Sequence, residues 1–489
     1  MKIVSRQIEI KKLDKAFTSK KPEFIAVYGR RRVGKTFLVR SFFEKKKCVF
    51  FTVTGSKDGT YLDQRTHFTQ RIGEVFLGGI IPAVSANWDQ TFKQLTDAIN
   101  NTDKNKKIVI FLDELPWMAT KKSKLLQTID YYWNQYWSRD SRIKLIICGS
   151  SASWIIDNII NNKGGLHNRV TETLYLQPYN LLETEQYLLS NKVKLNRKQI
   201  VEIYMVTGGV PFYLSKIEPG FSAVQIIERL AFSENAFLLG EFDNLFSSLF
   251  DDGDAYIEII KTIAKNREGI GQETLFNDLS KTSKGKTGLR RLKALEDAGF
   301  ISSFTPHFHK KRGIYYRITD EYTLFYLQWI SPLKRTKMIH ALQKGYWKTL
   351  TQKPEWFSWS GYAFEAVCYK HLNQIRRSLN LSSIAIPNAW RHTPIKKSAE
   401  KGAQIDLLFD RDDNSITICE IKYTDKPFVI TKEYAQKLNQ KTSVFKEITT
   451  TNKQIFVAII SANGIKPNSY SREYIDGVVE LNDLFLGEK

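Results

Sequence analysis

Cysteine is scarce. The 489 residues hold four, Cys48, Cys148, Cys368 and Cys419, far apart and without CxxC or Cys/His spacing. That excludes a disulfide framework and a zinc site of the usual spacings, and leaves four thiols expected to be buried. Long apolar runs are missing too. The longest stretch without charge, Val75 to Trp88, has 14 residues and includes Gly78, Gly79 and Pro82, whereas a membrane helix needs about 20 apolar residues. Lys2, Arg6, Glu9, Lys11, Lys12 and Asp14 break up the start of the chain, so no secretory core is read there. The expectation is a cytoplasmic protein with no membrane partner. Internal repeats, low-complexity tracts and long flexible linkers are also absent. Acid is short relative to base: 51 Asp and Glu stand against 73 Lys and Arg, a formal charge of +22. A field of that sign attracts polyanions, nucleic acid first, although a solvated basic surface gives the same count.

Hydrophobic residues at 42 % suffice for real cores, and the length suggests about three domains. Through the first part, short β-branched and apolar runs at Phe24 to Tyr28, Val49 to Val53, Ile108 to Leu112, Leu145 to Cys148 and Thr173 to Leu176 alternate with helical patterns such as Leu126, Ile129, Trp133 and Tyr136. The alternation predicts an α/β parallel sheet over residues 1–177. Strand signals stop at Pro178, and helical patterns around Gly208-Gly209-Val210-Pro211 suggest a helical lid over 178–245.

Residues 246–340 read differently. Ile257, Ile260 and Ile263 mark one helix, Leu275 and Leu279 a second, and Leu289, Leu292 and Leu295 a third. Strand-like runs at Phe300 to Phe304 and Ile314 to Ile318 follow, joined by a tip with Lys310, Lys311, Arg312 and Gly313. Three helices and a hairpin make a winged helix-turn-helix. Nine Lys and Arg against Glu296 and Asp297 between Lys281 and Arg312 put charge on the elements that usually face DNA, with a protein-binding winged helix as the alternative. The last segment, 341–489, mixes helices with strands at Leu407 to Phe409, Ile416 to Cys419 and Ile455 to Ile460.

Gly29-Arg30-Arg31-Arg32-Val33-Gly34-Lys35-Thr36 fits G-x-x-x-x-G-K-[ST], after a strand and before a helical run that begins at Thr36 and Phe37. The glycines let backbone N–H groups curl toward phosphate, and the helix N-terminus adds its dipole. Lys35 then neutralises β/γ charge, and Thr36 ligates magnesium, so ATP and Mg2+ are the expected cofactors. The apolar strand Ile108 to Leu112 delivers Asp113 and Glu114 at its C-terminal end, where open α/β sheets bind ligands. Asp113 suits magnesium held through water, and Glu114 suits polarising the attacking water. Ser150, after the next strand, is placed to orient water or sense the γ-phosphate, or else forms a simple Gly-Ser turn.

Those motifs, with Asp113-Glu114-Leu115-Pro116-Trp117, the run Cys148 to Trp154 and Gly208 to Leu214, resemble the archaeal-type P-loop ATPases of the STAND/AAA+ group over Met1 to Gly240. The resemblance implies an arginine finger, for which Arg169 is the candidate, and with it a homo-oligomer in which one copy completes its neighbour's site. The lid offers no clear sensor arginine. Members often add a winged helix and a C-terminal restriction-endonuclease-like domain of the PD-(D/E)xK type. Gln404-Ile405-Asp406, followed 14 positions later by Glu420-Ile421-Lys422, meets that pattern as D-x13-E-x-K, and strand alternation puts Glu420 and Lys422 on one face. Asp406 and Glu420 are the expected divalent-metal ligands and Lys422 the group that readies water. Glu365 resembles the helical acid completing such sites. The expected protein is a magnesium-dependent ATPase acting on DNA through a winged helix and a nuclease-like domain; the alternative is a regulatory ATP switch that binds DNA or a partner protein without cutting.

Overall fold

A computed structural model describes residues 3–120, 122–161, 166, 168–266, 269–280, 284–305, 313–338, 344–392, 394 and 402–487. The expected basic tip at Lys310, Lys311 and Arg312, and Lys281, lie outside the described residues. The chain divides into two compact units. One comprises Met1–Pro178 with Lys293–Gly299; the other comprises Tyr179–Leu292 and Phe300–Lys489.

Five strands form the sheet of the first unit: β1 (Glu23–Tyr28), β2 (Cys48–Thr54), β3 (Lys107–Asp113), β4 (Ile143–Gly149) and β5 (Glu172–Tyr175), in the order β2-β3-β4-β1-β5. Every pairing is parallel. The strands are apolar without interruption because both faces are covered. Phe24 and Ala26, Ile108, Ile110 and Leu112, and Leu145 and Ile147 join one buried cluster. Their alternates Ile25 and Val27, Val109 and Phe111, and Ile146 and Cys148 join the other. A period of two with no polar phase is the signature of a doubly covered parallel sheet. Parallel strands also place all five C-terminal ends on one edge, which brings the segments after β1, β3 and β4 together.

In the second unit, helices Leu181–Ser190, Arg197–Thr207, Ala223–Ala231 and Phe237–Leu249 come first. Gly208 and Gly209, at φ +60° and +68°, close the second of them, and a Cβ on Gly209 would lie 2.0 Å from the Tyr179 carbonyl oxygen. Next come helix Gly253–Ala264, β6 (Ile270–Gly271), helix Gln272–Asp278, helix Gly285–Asp297, whose residues from Lys293 onward belong to the first unit, β7 (Ile301–Phe304) and β8 (Tyr315–Ile318). The strands pair antiparallel in the order β6-β8-β7. The two-residue β6 is too short to show in a sequence pattern.

A second five-stranded sheet is mixed. It uses β9 (Ile386–His392), β10 (Ala403–Asp410) and β11 (Ser415–Lys422); after a small pair of β12 (Phe428–Val429) with β14 (Ile465–Lys466), it is completed by β13 (Gln454–Ser461) and β15 (Gly477–Glu480). Its order is β15-β13-β11-β10-β9, with β9, β10 and β11 antiparallel and β11, β13 and β15 parallel. Helix Lys432–Thr449 makes the crossover between β11 and β13 and covers the sheet with Val444 and Phe445. The first helices of the unit pack on these elements. Glu228 accepts from the N–H groups of Gly345, Tyr346 and Trp347, satisfying a helix start with a carboxylate. His371 Nε2 likewise accepts from the Leu181 N–H, while Nδ1 meets the Val367 carbonyl.

Candidate functional site

The loop after β1 is built by two glycines with different duties. Gly29 has φ +138°, and a Cβ there would come within 2.2 Å of the Leu176 carbonyl oxygen. Gly34 has φ +90° in open space, so its need is conformational: it turns the chain into helix Lys35–Phe43. Arg32, at φ +73°, takes the same left-handed region without glycine's freedom. Lys35 is buried and donates to the carbonyl oxygens of Gly29 and Arg30, both at 2.9 Å. Burial lowers its pKa, against the opposing pull of neighbouring acidic groups including Glu114 and Asp113.

Asp113 ends β3 beneath that helix. Thr36 Oγ1 donates to its two oxygens at 3.0 and 2.9 Å, and Thr54 Oγ1, at the end of β2, lies 3.4 Å from Oδ2. A hydroxyl beside a carboxylate is a hard-oxygen pair of the kind magnesium takes with phosphate and water, so Thr36 and Asp113 fit that ion. Glu114 sits at φ +48° and directs its Oε2 to both the N–H and the hydroxyl of Ser150, each at 2.9 Å. That strained backbone turns Glu114 sideways along the sheet edge, and a strained non-glycine residue next to ligand-binding groups is where such cost is usually found. Cys148, buried on β4, is held up as a thiol first by burial and then by Asp113. Thr54 carries no motif that would reveal it in sequence; only sheet order brings it here, whereas Cys148 opens the run Cys148 to Trp154 without itself being read as part of the site.

The other expected nucleotide residues divide. Arg30 is buried, Arg31 and Arg32 are half-buried, and Phe37 is exposed. Val33 packs its side chain into the core, so only its backbone is available to a ligand. Arg169 is exposed in the turn before β5, its N–H bonded to the Leu166 carbonyl. The hydrogen bonds that join Thr36 to Asp113 and Glu114 to Ser150 do not include it.

The C-terminal carboxylates come together on the second sheet. Leu407 pairs with Cys419 across β10 and β11, and one step further along each strand stand Asp406 and Glu420. Asp406 Oδ2 accepts from the Ile421 N–H at 3.1 Å, and its carbonyl accepts from the Tyr369 hydroxyl at 2.7 Å. Burial raises the Asp406 pKa, and Glu420 adds to the rise. Glu365, half-buried on helix Pro354–Lys370, acts with Asp406 on the same Cys368 thiol and Tyr369 phenol, the latter pushed up to about 12 mainly by burial. Glu420 is 1 % exposed and fully engaged: Lys422 at 3.3 Å, Lys441, and the Tyr434 hydroxyl at 3.0 Å. Lys441 and Tyr434, seven residues apart on one helical face, were not singled out from sequence; their charge and hydroxyl look like ordinary surface residues until the helix is laid over β11. Among the described residues no three His, Cys, Asp or Glu side chains gather into a metal-holding group. The expected metal pair Asp406 and Glu420 therefore stands without a third side-chain ligand and with ammonium groups on Glu420.

Charge on helix Gly285–Asp297 is less free than the sequence suggests. Arg291 is buried on Asp252, and Lys293 reaches Asp297 at 3.2 Å; Lys286 and Arg290 are exposed. No helix among the described residues is long and apolar enough to cross a membrane.

Residues 3–217 match the model of an ATPase domain predominantly from Archaea. Uncharacterized protein MJECL04 of Methanocaldococcus jannaschii is 26 % identical over 426 residues, covering 86 % of this chain and 88 % of that protein. The uncharacterized ATP-binding protein MJ0423 of the same organism is 46 % identical over 44 residues, 9 % of this chain and 75 % of that protein. The Walker-type ATPase PABY2304 of Pyrococcus abyssi aligns over 66 % of this chain and 95 % of its own, at 14 % identity and TM-score 0.46. The loop after β1, Thr36, Asp113 and Glu114 meet at one end of a five-stranded parallel sheet, inside the span 3–217 that is similar to that archaeal ATPase domain.

Proposed function

We propose that the chain is an ATP-hydrolysing protein that acts on DNA, its ATPase domain controlling a winged-helix domain and a nuclease-like C-terminal domain. The observation that carries the DNA half is the juxtaposition of Asp406, Glu420 and Lys422 on adjacent strands of a mixed sheet. In the ATPase domain, Thr36 and Asp113 would hold magnesium, which neutralises phosphate charge when bound. Lys35 is already desolvated and parked on two carbonyls, so it can move onto phosphate oxygens without leaving a carboxylate behind. Glu114, positioned by the two Ser150 donors, accepts the proton of an attacking water. Arg169, exposed and outside this network, acts from one copy on the next in a homo-oligomer. The order β6-β8-β7 with three preceding helices supports the winged-helix reading, with Lys286 and Arg290 as its phosphate contacts.

A second reading, a switch that binds DNA or a partner protein without cutting, is favoured by one observation: both oxygens of Glu420 are already occupied. Incubating linear, branched and single-stranded DNA with Mg2+ or Mn2+, with and without ATP, separates the two. Cleavage lost in Glu420→Gln and Lys422→Ala supports the first; DNA binding with no cleavage under any condition leaves the switch.

A further inference from the structure

A cleft of about 730 Å3 lies within the second unit, away from both sites above. The end of helix Gly253–Ala264 supplies Lys261 and Lys265, and helix Ser331–Arg335 supplies Lys334 and Arg335. Asp243 is the one acid on its wall, and Lys334 takes it at 2.7 Å. Four cations against one carboxylate leave a surplus of three. Lys261, Lys265 and Arg335 have no ion-pair partner among the described residues, and Lys261, Lys265 and Arg335 are exposed.

Aromatic residues share the lining. Trp359 lines the cleft at 2 % exposure, and its buried indole N–H has no hydrogen-bond partner among the described residues. Tyr362, half-buried, lies one helical turn further on. The segment Tyr326–Ile330, which contributes Tyr326, Leu327 and Gln328, is wound as a π-helix, a local widening frequent at functional sites. A helix C-terminus favours lysines through its dipole, which accounts for Lys261. It accounts equally for Lys265 at the same helix end and for Lys334 and Arg335 in the last turn of theirs; it does not account for two such helix ends meeting in one cleft that an indole donor without a hydrogen-bond partner among the described residues also lines.

We infer that this cleft binds a nucleotide unit: phosphate charge on Lys261, Lys265 and Arg335, and a planar base against Tyr362, with the Trp359 indole N–H as a donor at the cleft wall. Its size is that of a site for one such ligand. The unit comes either from a single strand of nucleic acid threading the cleft or from a free nucleotide. The inference stands on these residues alone and does not depend on the nuclease or winged-helix readings.

The test uses the full chain carrying Lys35→Met, which removes nucleotide binding at the P-loop. Anisotropy of a labelled oligothymidylate and competition by free ADP distinguish the two sources. With the triple change Lys261→Ala, Lys265→Ala and Arg335→Ala, affinity for the strand falls at least tenfold. The slope of log affinity against log salt drops by about 2, since a single strand releases about 0.7 counterion per contact. Trp359→Phe, which keeps the ring and loses the N–H, weakens binding a few-fold with the slope unchanged. Lys261→Arg with Lys265→Arg, Arg335 left in place, keeps both quantities at the parent's level. Thermal unfolding of each variant separates a folding defect from a binding one. ADP competing fully marks a free nucleotide; ADP failing to compete marks the strand. If the triple variant keeps its affinity and slope, and Lys286→Ala with Arg290→Ala carries the whole loss, the cleft is not the site.

Discussion

Lys35 in the first unit and Glu420 in the second are both buried charges, and they are satisfied in opposite ways. Lys35 rests on two backbone carbonyls; Glu420 rests on two ammonium groups and a phenol. Carbonyl dipoles hold a cation without neutralising it, so the P-loop keeps its positive charge for an arriving phosphate. The two ammonium groups act on Glu420 and on its neighbour Asp406 alike, so the two carboxylates of the C-terminal cluster are matched charge for charge. One site is prepared for its ligand by leaving charge unbalanced; the other is held closed by balancing it.

The sharpest way to break that comparison is Lys35→Met. Removing a cation aimed at transferring phosphate should lower ATP turnover by roughly 10^3-fold, about 4 kcal/mol, the upper range seen when one preorganised charge donor is lost. Because no carboxylate is bonded to Lys35, the thermal midpoint should not fall. A loss of midpoint equal to that of a broken ion pair would show that Lys35 is structurally paired after all.

A smaller effect comes from pH and acts on the second unit. His371 is fully buried, and burial lowers its pKa from 6.5 to about 4. Its folded value is depressed, so its contribution is complete above pH 6.5 and is lost as pH falls toward 4, because the unfolded chain binds the proton first. The window of 2.5 pH units corresponds to about 3 kcal/mol at most. His371→Gln keeps an acceptor for the Leu181 N–H and should remove that part of the acid slope in chemical denaturation. An identical slope in the variant means other groups carry it.

Lys441→Met should cost about 2 kcal/mol, below the usual 3–5 for breaking a buried pair, since Lys441 is partly solvated and Lys422 remains. Combined with Glu420→Gln, the loss should be recovered in large part. Additivity of the two changes in urea unfolding would refute the balanced-charge account.

Much of the first unit was legible because each strand is an unbroken apolar run and the P-loop fixes its own context. The second unit was legible in its strands at 407–409, 416–419 and 455–460, but β9 and β15 went unread: Pro387 and Asn388 interrupt one, and the other has four residues. The site residues named from motifs were those whose chemistry sits at fixed spacing. Thr54, Lys441 and Tyr434 were missed because what brings them in is sheet order and helix packing, which leave no local pattern. Arg291 was misjudged as a free cation for the same reason, since Asp252 lies 39 residues away in sequence.

The smallest expected effect tests the dipole side of the comparison. Ser150 offers Glu114 two donors, a backbone N–H and a hydroxyl, both on Oε2 at 2.9 Å. Ser150→Ala removes the hydroxyl and leaves the N–H, so Glu114 loses one neutral donor to a charged acceptor, worth about 1.5 kcal/mol. The carboxylate is then less firmly placed, and turnover should fall roughly tenfold by that conversion, with ADP affinity unchanged because Ser150 does not contact the loop after β1 in the hydrogen bonds described. Single-turnover hydrolysis beside ADP titration reads the two quantities separately. Equal losses in both would make Ser150 a binding residue, and an unchanged rate would mean that the backbone N–H alone positions Glu114.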